Sequence, residues 1–194
     1  MHGALSRVLA DNLTRQQTFT WYLLGVVGFS LLTALMAQVD IRLPFTPVPL
    51  TEQTFAVLLS GAVLGSRRAF ASQTLYLASG AAGLPVFAGG GATFLHLLGP
   101  TGGYLWSFPL AAALTGWLVE RGASRGAWKL TLTLFLSDAL ILASGVAWLH
   151  VLHGVAACQA WAYGFYPFIA GDILKVSLVG VSLPRLLLRY NNPA

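Results

Sequence analysis

The run FTWYLLGVVGFSLLTALMAQV, Phe19–Val39, decides how the rest of the chain is read. It holds 21 residues and no charged side chain, which makes about 32 Å of helix against a hydrocarbon core about 30 Å thick. Working outward, breaks at charges, prolines and glycine clusters leave five further apolar segments: Thr51–Gly65, Ala69–Leu84, Gly103–Val119, Leu130–Leu149 and Tyr166–Pro184. An apolar but irregular stretch, His150–Phe165, with Gly154 and Gly164, precedes the last of them. The second segment has 15 residues, only about 23 Å of helix, and the third is also short. Both are expected to stop below the outer surface, where they line a cavity.

Composition agrees. Of 194 residues, 56% are hydrophobic and 9% charged, where a soluble domain carries about 25% charged residues. So few polar side chains cannot coat a water-facing surface, which excludes a disordered protein and a soluble globular enzyme. The expected fold is an all-α integral membrane protein, one polytopic domain over residues 1–194 with six transmembrane helices. Residues 1–20 carry Arg7, Asp11 and Arg15 ahead of the first apolar run, so no cleavable signal peptide is expected. Cys158 is the single cysteine; it excludes a disulfide framework, and a free buried thiol is its expected state.

The basic residues orient the bundle. Arg7 and Arg15, Arg67 and Arg68, Arg121, Arg125 and Lys129, and Arg185 and Arg189 all fall on one side, against Arg42 alone on the other. Nine against one across short loops puts both termini in the cytoplasm. The same asymmetry accounts for the net charge of +5 without nucleic acid as a partner. On the outer side, Ile41–Thr51 contains Pro44, Pro47 and Pro49 and reads as a stiff non-helical connection. Pro85–Gly103 is glycine-rich and too apolar for a solvated loop. Irregular backbone at membrane depth is tolerated where protein buries it or where it lines a cavity. Both loops are therefore expected to fold over the outer mouth.

Within this frame Asp172 and Lys175 are the sharpest feature. Three residues apart in the last span, they share a helix face. Counted from Arg185, they stand about 20 and 15 Å above the cytoplasmic end. An intramembrane charge costs roughly 3 kcal/mol, so the pair either neutralises itself while holding helices together or faces a polar ligand. Asp138, in the fifth span, fits a structural contact as well as a site. Gln53 and Glu52 open the second span beneath the proline loop; Gln53 offers two donors and an acceptor, suited to an amide-like solute or to tying down the loop. Tyr76 and Tyr104 are candidates to border a cavity. Ser30 and Ala34, then Thr33 and Ala37, form small-xxx-small pairs in the first span, fit either for packing within the bundle or for docking a second membrane subunit. His150 and His153 lack a third metal ligand. Ser79 and Ser144 lack the glycine flank of a nucleophile elbow, and neither lysine sits in a phosphate-binding loop. No metal, cofactor or catalytic residue is expected.

Four stretches in order resemble the BioY family: PFTPVPLTEQT (Pro44–Thr54), LYLASGAAGLPVFAGG (Leu75–Gly90), GPTGGYLWSFPLAAALTG (Gly99–Gly116) and GDILK (Gly171–Lys175). The resemblance implies the biotin-specific substrate-binding (S) component of an energy-coupling-factor transporter. Such a component works with a membrane coupling (T) subunit and a pair of ABC-type ATPases. It further implies that Asp172 accepts from the ureido N–H groups of biotin and that Lys175 neutralises Asp172 or meets the ligand's carboxylate. Gln53, Tyr76 and Tyr104 add polar contacts, while Phe87 and the backbone of Gly89, Gly90 and Gly91 close over the ring as a lid. In the wider class the coupling subunit docks on an Ala-xxx-Ala pattern of the first helix, which here becomes Ser30–Ala34 and Thr33–Ala37. The alternatives are an S component for another vitamin, a solitary biotin facilitator and, more remotely, a membrane-embedded enzyme.

Overall fold

The computed structural model describes residues 2–169, 171–173 and 175–177. The end of the sixth expected span with Arg185 and Arg189, and the side chains of Arg7 and Arg15, lie outside the described residues. The chain is built of helices: α1 His2–Ala37, α2 Gln53–Leu64, α3 Ser66–Ala81, α4 Gly102–Glu120, α5 Ala127–Val151 and α6 Ala157–Gly164. Residues 166–169, 171–173 and 175–177 are again helical and are called the C-terminal segment below.

Two stretches among the described residues, Phe19–Ala37 and Ala127–Val151, are long and apolar enough to cross a membrane, each with mean hydropathy 1.8. On α1 the apolar side chains point outward, with Trp21 73% and Leu35 65% exposed. Its covered face is the small one: Val26, Ser30, Thr33 and Ala37 are all buried. This spacing of four, three and four residues follows one helix face. Thr33 meets Gln73 of α3, whose Nε2 donates to Thr33 Oγ1 at 3.1 Å and to Ser60 Oγ of α2 at 3.2 Å. One buried amide thus clamps three helices. The small residues Ser30, Thr33, Ala34 and Ala37 thus pack within the bundle, one of the two roles expected of them. Ser30, Thr33 and Ala37 are covered from within the chain, and Ala34 packs half-buried on the core.

The break between α2 and α3 falls at Gly65, whose φ of +78° turns the chain sharply. Glu120, the last residue of α4, accepts from the Ser66 N–H at 2.8 Å and so caps α3 with negative charge. With 12 residues α2 extends only about 18 Å. α6 is a correction: helix forms inside the stretch expected to be irregular, and it packs on α5. Cys158 on α6 is exposed, not buried, because the short helix covers its neighbour through Ala160 and Gly164 and turns the cysteine outward.

The proline-rich connection is non-helical, but it is also closed by a strand pair that the sequence did not announce. β1 (Asp40–Ile41) runs antiparallel to β2 (Leu50–Thr51), with Asp40 opposite Thr51. Thr46 Oγ1 donates to the Tyr163 carbonyl at 2.9 Å, fastening the loop to α6. The glycine-rich loop folds into two 3-10 turns, Ala88–Gly90 and Phe94–Leu98. Its anchor is Phe87, fully buried, whose ring fills the space that a Cβ on Gly80 would need.

Candidate functional site

Where the two loops meet the start of α2, a cavity of about 490 Å³, mouth included, opens into the bundle. Its two walls differ in chemistry. Thr51, Gln53 and Thr54 present hydroxyls and an amide, while Leu105 and Phe108 of α4, Leu142 of α5 and Phe168 of the C-terminal segment are apolar. Tyr104 completes the aromatic wall. A wider outer recess of about 890 Å³ adjoins it, bounded by Asp40, Arg42, Leu43 and Thr46. Pro49, Ala88, His96 and Thr101 line both spaces and so form the neck between them.

Gln53 is held rather than loose. Its Nε2 donates to the Tyr76 hydroxyl at 2.6 Å, and its Oε1 accepts from Thr51 Oγ1 at 3.2 Å. The Tyr76 hydroxyl in turn donates to the Val86 carbonyl at 3.2 Å. Tyr76 is fully buried behind Gln53 and takes no part in the cavity wall. Tyr104 does line the wall, with its hydroxyl donating to the Gly164 carbonyl at 2.8 Å. Its ring lies directly over Gly145 of α5, where any Cβ would overlap it.

Phe87 stands in the core, edge-on to Tyr76 at 5.5 Å and stacked on His96 at 5.0 Å. It anchors the glycine-rich loop from below and leaves Ala88 and His96 to face the cavity. Gly89 lies against the Arg42 guanidinium, which pairs with Asp40 at 3.0 Å. Gly91 lies against the His96 ring, and Gly90 has open space around it. Burial pushes the His96 imidazole below its ordinary value; neutral near physiological pH, it offers the neck one donor and one acceptor.

Asp172 and Lys175 lie on the other side of Thr54, in a smaller cavity of about 220 Å³ shared with Phe55, Leu58, Leu134, Asp138 and Val176. Lys175 Nζ donates to the Thr51 carbonyl at 2.8 Å and stands 3.4 Å from Glu52 Oε1 and 3.7 Å from Asp172 Oδ1. The ammonium therefore has the carboxylates as ionic neighbours and a backbone oxygen as its closest partner. Asp138 joins this group from α5.

The structure thus brings Gln53 and Tyr104 into one wall, with Tyr76 and Phe87 behind it and Asp172 and Lys175 adjoining. Sequence reading did not single out Thr51, Thr54, His96, Thr101 or Phe168 as lining residues. Thr54 and Phe168 carried a usable signal, one residue after Gln53 and one helical turn before Asp172 respectively.

A helical bundle with apolar outward faces and a cavity under two loops defines a class, the membrane-embedded solute-binding component. In fold the chain superposes on a solved S-component for biotin from an ECF-type ABC transporter, with a TM-score of 0.81, 23% identity and coverage of 88% of this chain and 92% of the other. The chain belongs to the BioY family, which it matches over residues 10–192. A probable biotin transporter BioY of Pyrococcus horikoshii is 37% identical over 161 residues, 83% of this chain and 93% of that protein. The biotin transporter BioY of Thermotoga maritima is 37% identical over 158 residues, covering 75% and 85%. BioY2 of Lactococcus lactis, also a biotin transporter, is 34% identical over 185 residues, covering 92% and 96%.

Proposed function

We infer that the chain is the biotin-binding S component of an ECF-type transporter, capturing biotin at the outer face of the cytoplasmic membrane for delivery inward. The observation that carries this reading is the two-sided cavity behind a loop neck, in a chain of this family. Biotin is two-sided in the same way: a ureido group with two N–H donors and a carbonyl, a fused apolar ring, and a valerate ending in a carboxylate. The ureido group meets Thr51, Gln53 and Thr54, and the Asp172–Lys175 pair backs this polar wall from the far side of Thr54. The apolar ring rests on Tyr104, Phe108 and Phe168. Tyr76 acts by orienting Gln53, while Phe87 with Gly89, Gly90 and Gly91 fixes the loop that covers the ligand.

Six spans with both termini in the cytoplasm follow from the placement of the basic residues. A coupling (T) subunit and a pair of ABC-type ATPases supply the energy, the chain itself containing no phosphate-binding loop. No cofactor takes part, and biotin is ligand only. The test is equilibrium binding of labelled biotin to the purified chain, with thiamine and riboflavin as competitors. Stoichiometric binding that only unlabelled biotin displaces is the expected result. A folded sample that binds nothing, or from which another vitamin displaces the label, refutes the assignment of solute.

A further inference from the structure

The smaller cavity contains more negative charge than its one ammonium can answer. Asp138 and Asp172 are each only 4% exposed, and both face this cavity. Asp138 Oδ1 and Asp172 Oδ2 are buried without a hydrogen-bond partner among the described residues. Lys175 has three donors, and Thr51, Glu52 and Asp172 Oδ1 already stand around it. Among the described residues Lys175 is the one cation at this cavity, and Asp138 has no hydrogen bond or ion pair with it. Among the other elements packed on α5, α2 and α6 have no charged residue, α4 has only Glu120 at its far end, and the turn Ala123–Arg125 holds Arg125 at the start of α5, 13 positions before Asp138. Facing this space are therefore two carboxylates, Asp138 and Asp172, against Lys175, with Glu52 touching the ammonium from outside the cavity.

A carboxylate is an acceptor only, whereas its acid form also donates. One added proton thus relieves the like charge of two buried carboxylates at one cavity. A hard metal cation fits less well, since such ions gather about six or more oxygens. Here Phe55, Leu58 and Leu134 make the wall apolar, and Thr54 supplies the one neutral hydroxyl.

We propose that this cavity is a proton-binding site in which Asp138 carries one proton. The proton is taken up from hydronium in bulk solvent: one O–H bond of hydronium breaks, leaving water, and one O–H bond forms on a carboxylate oxygen. Asp172 stays beside Lys175 and backs the polar wall that faces a solute on the far side of Thr54. That last link rests on the biotin reading; the proton site itself does not.

The test is infrared spectroscopy of the unliganded full chain in lipid nanodiscs near neutral pH, in H2O and D2O. The expected spectrum shows the carbonyl stretch of a protonated carboxylic acid, shifted down in D2O and lost in Asp138→Asn. With six Asp and Glu residues in the chain, the band is readily assigned. Should Asp138→Asn fail to fold, Asp138→Glu moves the band without abolishing it. Absence of the band in the unmutated chain overturns the proposal. So does a band unmoved in either variant, or one erased when sodium chloride replaces choline chloride at equal ionic strength. Labelled-biotin affinity in the same samples is expected to vary with pH in the unmutated chain and to lose that dependence in Asp138→Asn. A chain that shows the band but does not bind biotin refutes the solute and leaves the proton site standing.

Discussion

Tyr76→Phe removes one oxygen from the fully buried ring behind the cavity and leaves the packing in place. The phenyl ring still meets Phe87 edge-on at 5.5 Å and Phe108 at 6.4 Å. Two bonds are lost, one from Gln53 Nε2 at 2.6 Å and one to the Val86 carbonyl at 3.2 Å. A buried partner left unsatisfied costs about 1–3 kcal/mol, so the fold is expected to lose about 2 kcal/mol, read as a lower unfolding temperature. The effect on solute is separate. Gln53 keeps only its bond from Thr51, its amide is free to turn, and affinity of the folded chain falls about tenfold, or about 1.4 kcal/mol. The assay is a double-mutant cycle of labelled-biotin binding with Tyr76→Phe, Gln53→Met and both together. If Tyr76 acts only through Gln53, the double variant binds as weakly as Gln53→Met alone and no weaker. Additive losses refute the reasoning by making Tyr76 a ligand contact in its own right. Unchanged affinity in Tyr76→Phe refutes it from the other side.

Three further outcomes follow from individual contacts. Gly145→Ala drives a methyl into the Tyr104 ring, which overpacking places at about 1–3 kcal/mol of lost stability; Gly28→Ala meets nothing within 4 Å and should unfold at or above the unmutated temperature. His96 has a folded pKa below its unfolded value, so its contribution to stability is complete above about pH 6.5 and is lost as pH falls through the folded pKa. His96→Gln should therefore flatten the acid side of a plot of unfolding temperature against pH, and an unchanged plot counts against burial of the ring. Cys158 follows the outer end of α5 and is exposed, so a membrane-impermeant maleimide should label it from outside intact cells. Labelling only after the membrane is opened would reverse the orientation drawn from the basic residues.

What the sequence made legible was local. Asp172 and Lys175 stood out because charge is conspicuous in an apolar run, and Gly65 and Gln53 marked the ends of α2 to within two residues of the expected span. Elements that depend on distant partners were hidden. β1 and β2 are two residues each and take their identity from each other. Phe87 reads as a lid until Gly80 is seen to be its socket. Small residues on α1 suit a neighbouring helix in the same chain as well as one in another subunit, so the sequence could not choose between them. His96 looked incidental in an apolar loop, and only the fold puts it at the neck. Asp138 and Asp172, 34 positions apart, acquire a common meaning only when α5 and the C-terminal segment face one cavity.

The arrangement of Lys175 bears on how such a cavity could be opened. Its bond to the Thr51 carbonyl ends at β2, and β2 is paired with β1 in the loop that leads to the neck. The same ammonium stands beside Glu52 at the start of α2 and beside Asp172 in its own segment. One side chain thus joins the loop, the short helix and the C-terminal segment, and the polar wall of the cavity lies where the first two meet. A shift of the C-terminal segment against α2 must either carry the loop with it or break a charge-assisted bond, worth about 1.5–3 kcal/mol. Substitution by arginine retains the charge but replaces a compact ammonium with a planar fork, which cannot fit the same three oxygens from the same position. Lys175→Arg should therefore impair capture nearly as much as Lys175→Met, although only the latter removes the cation.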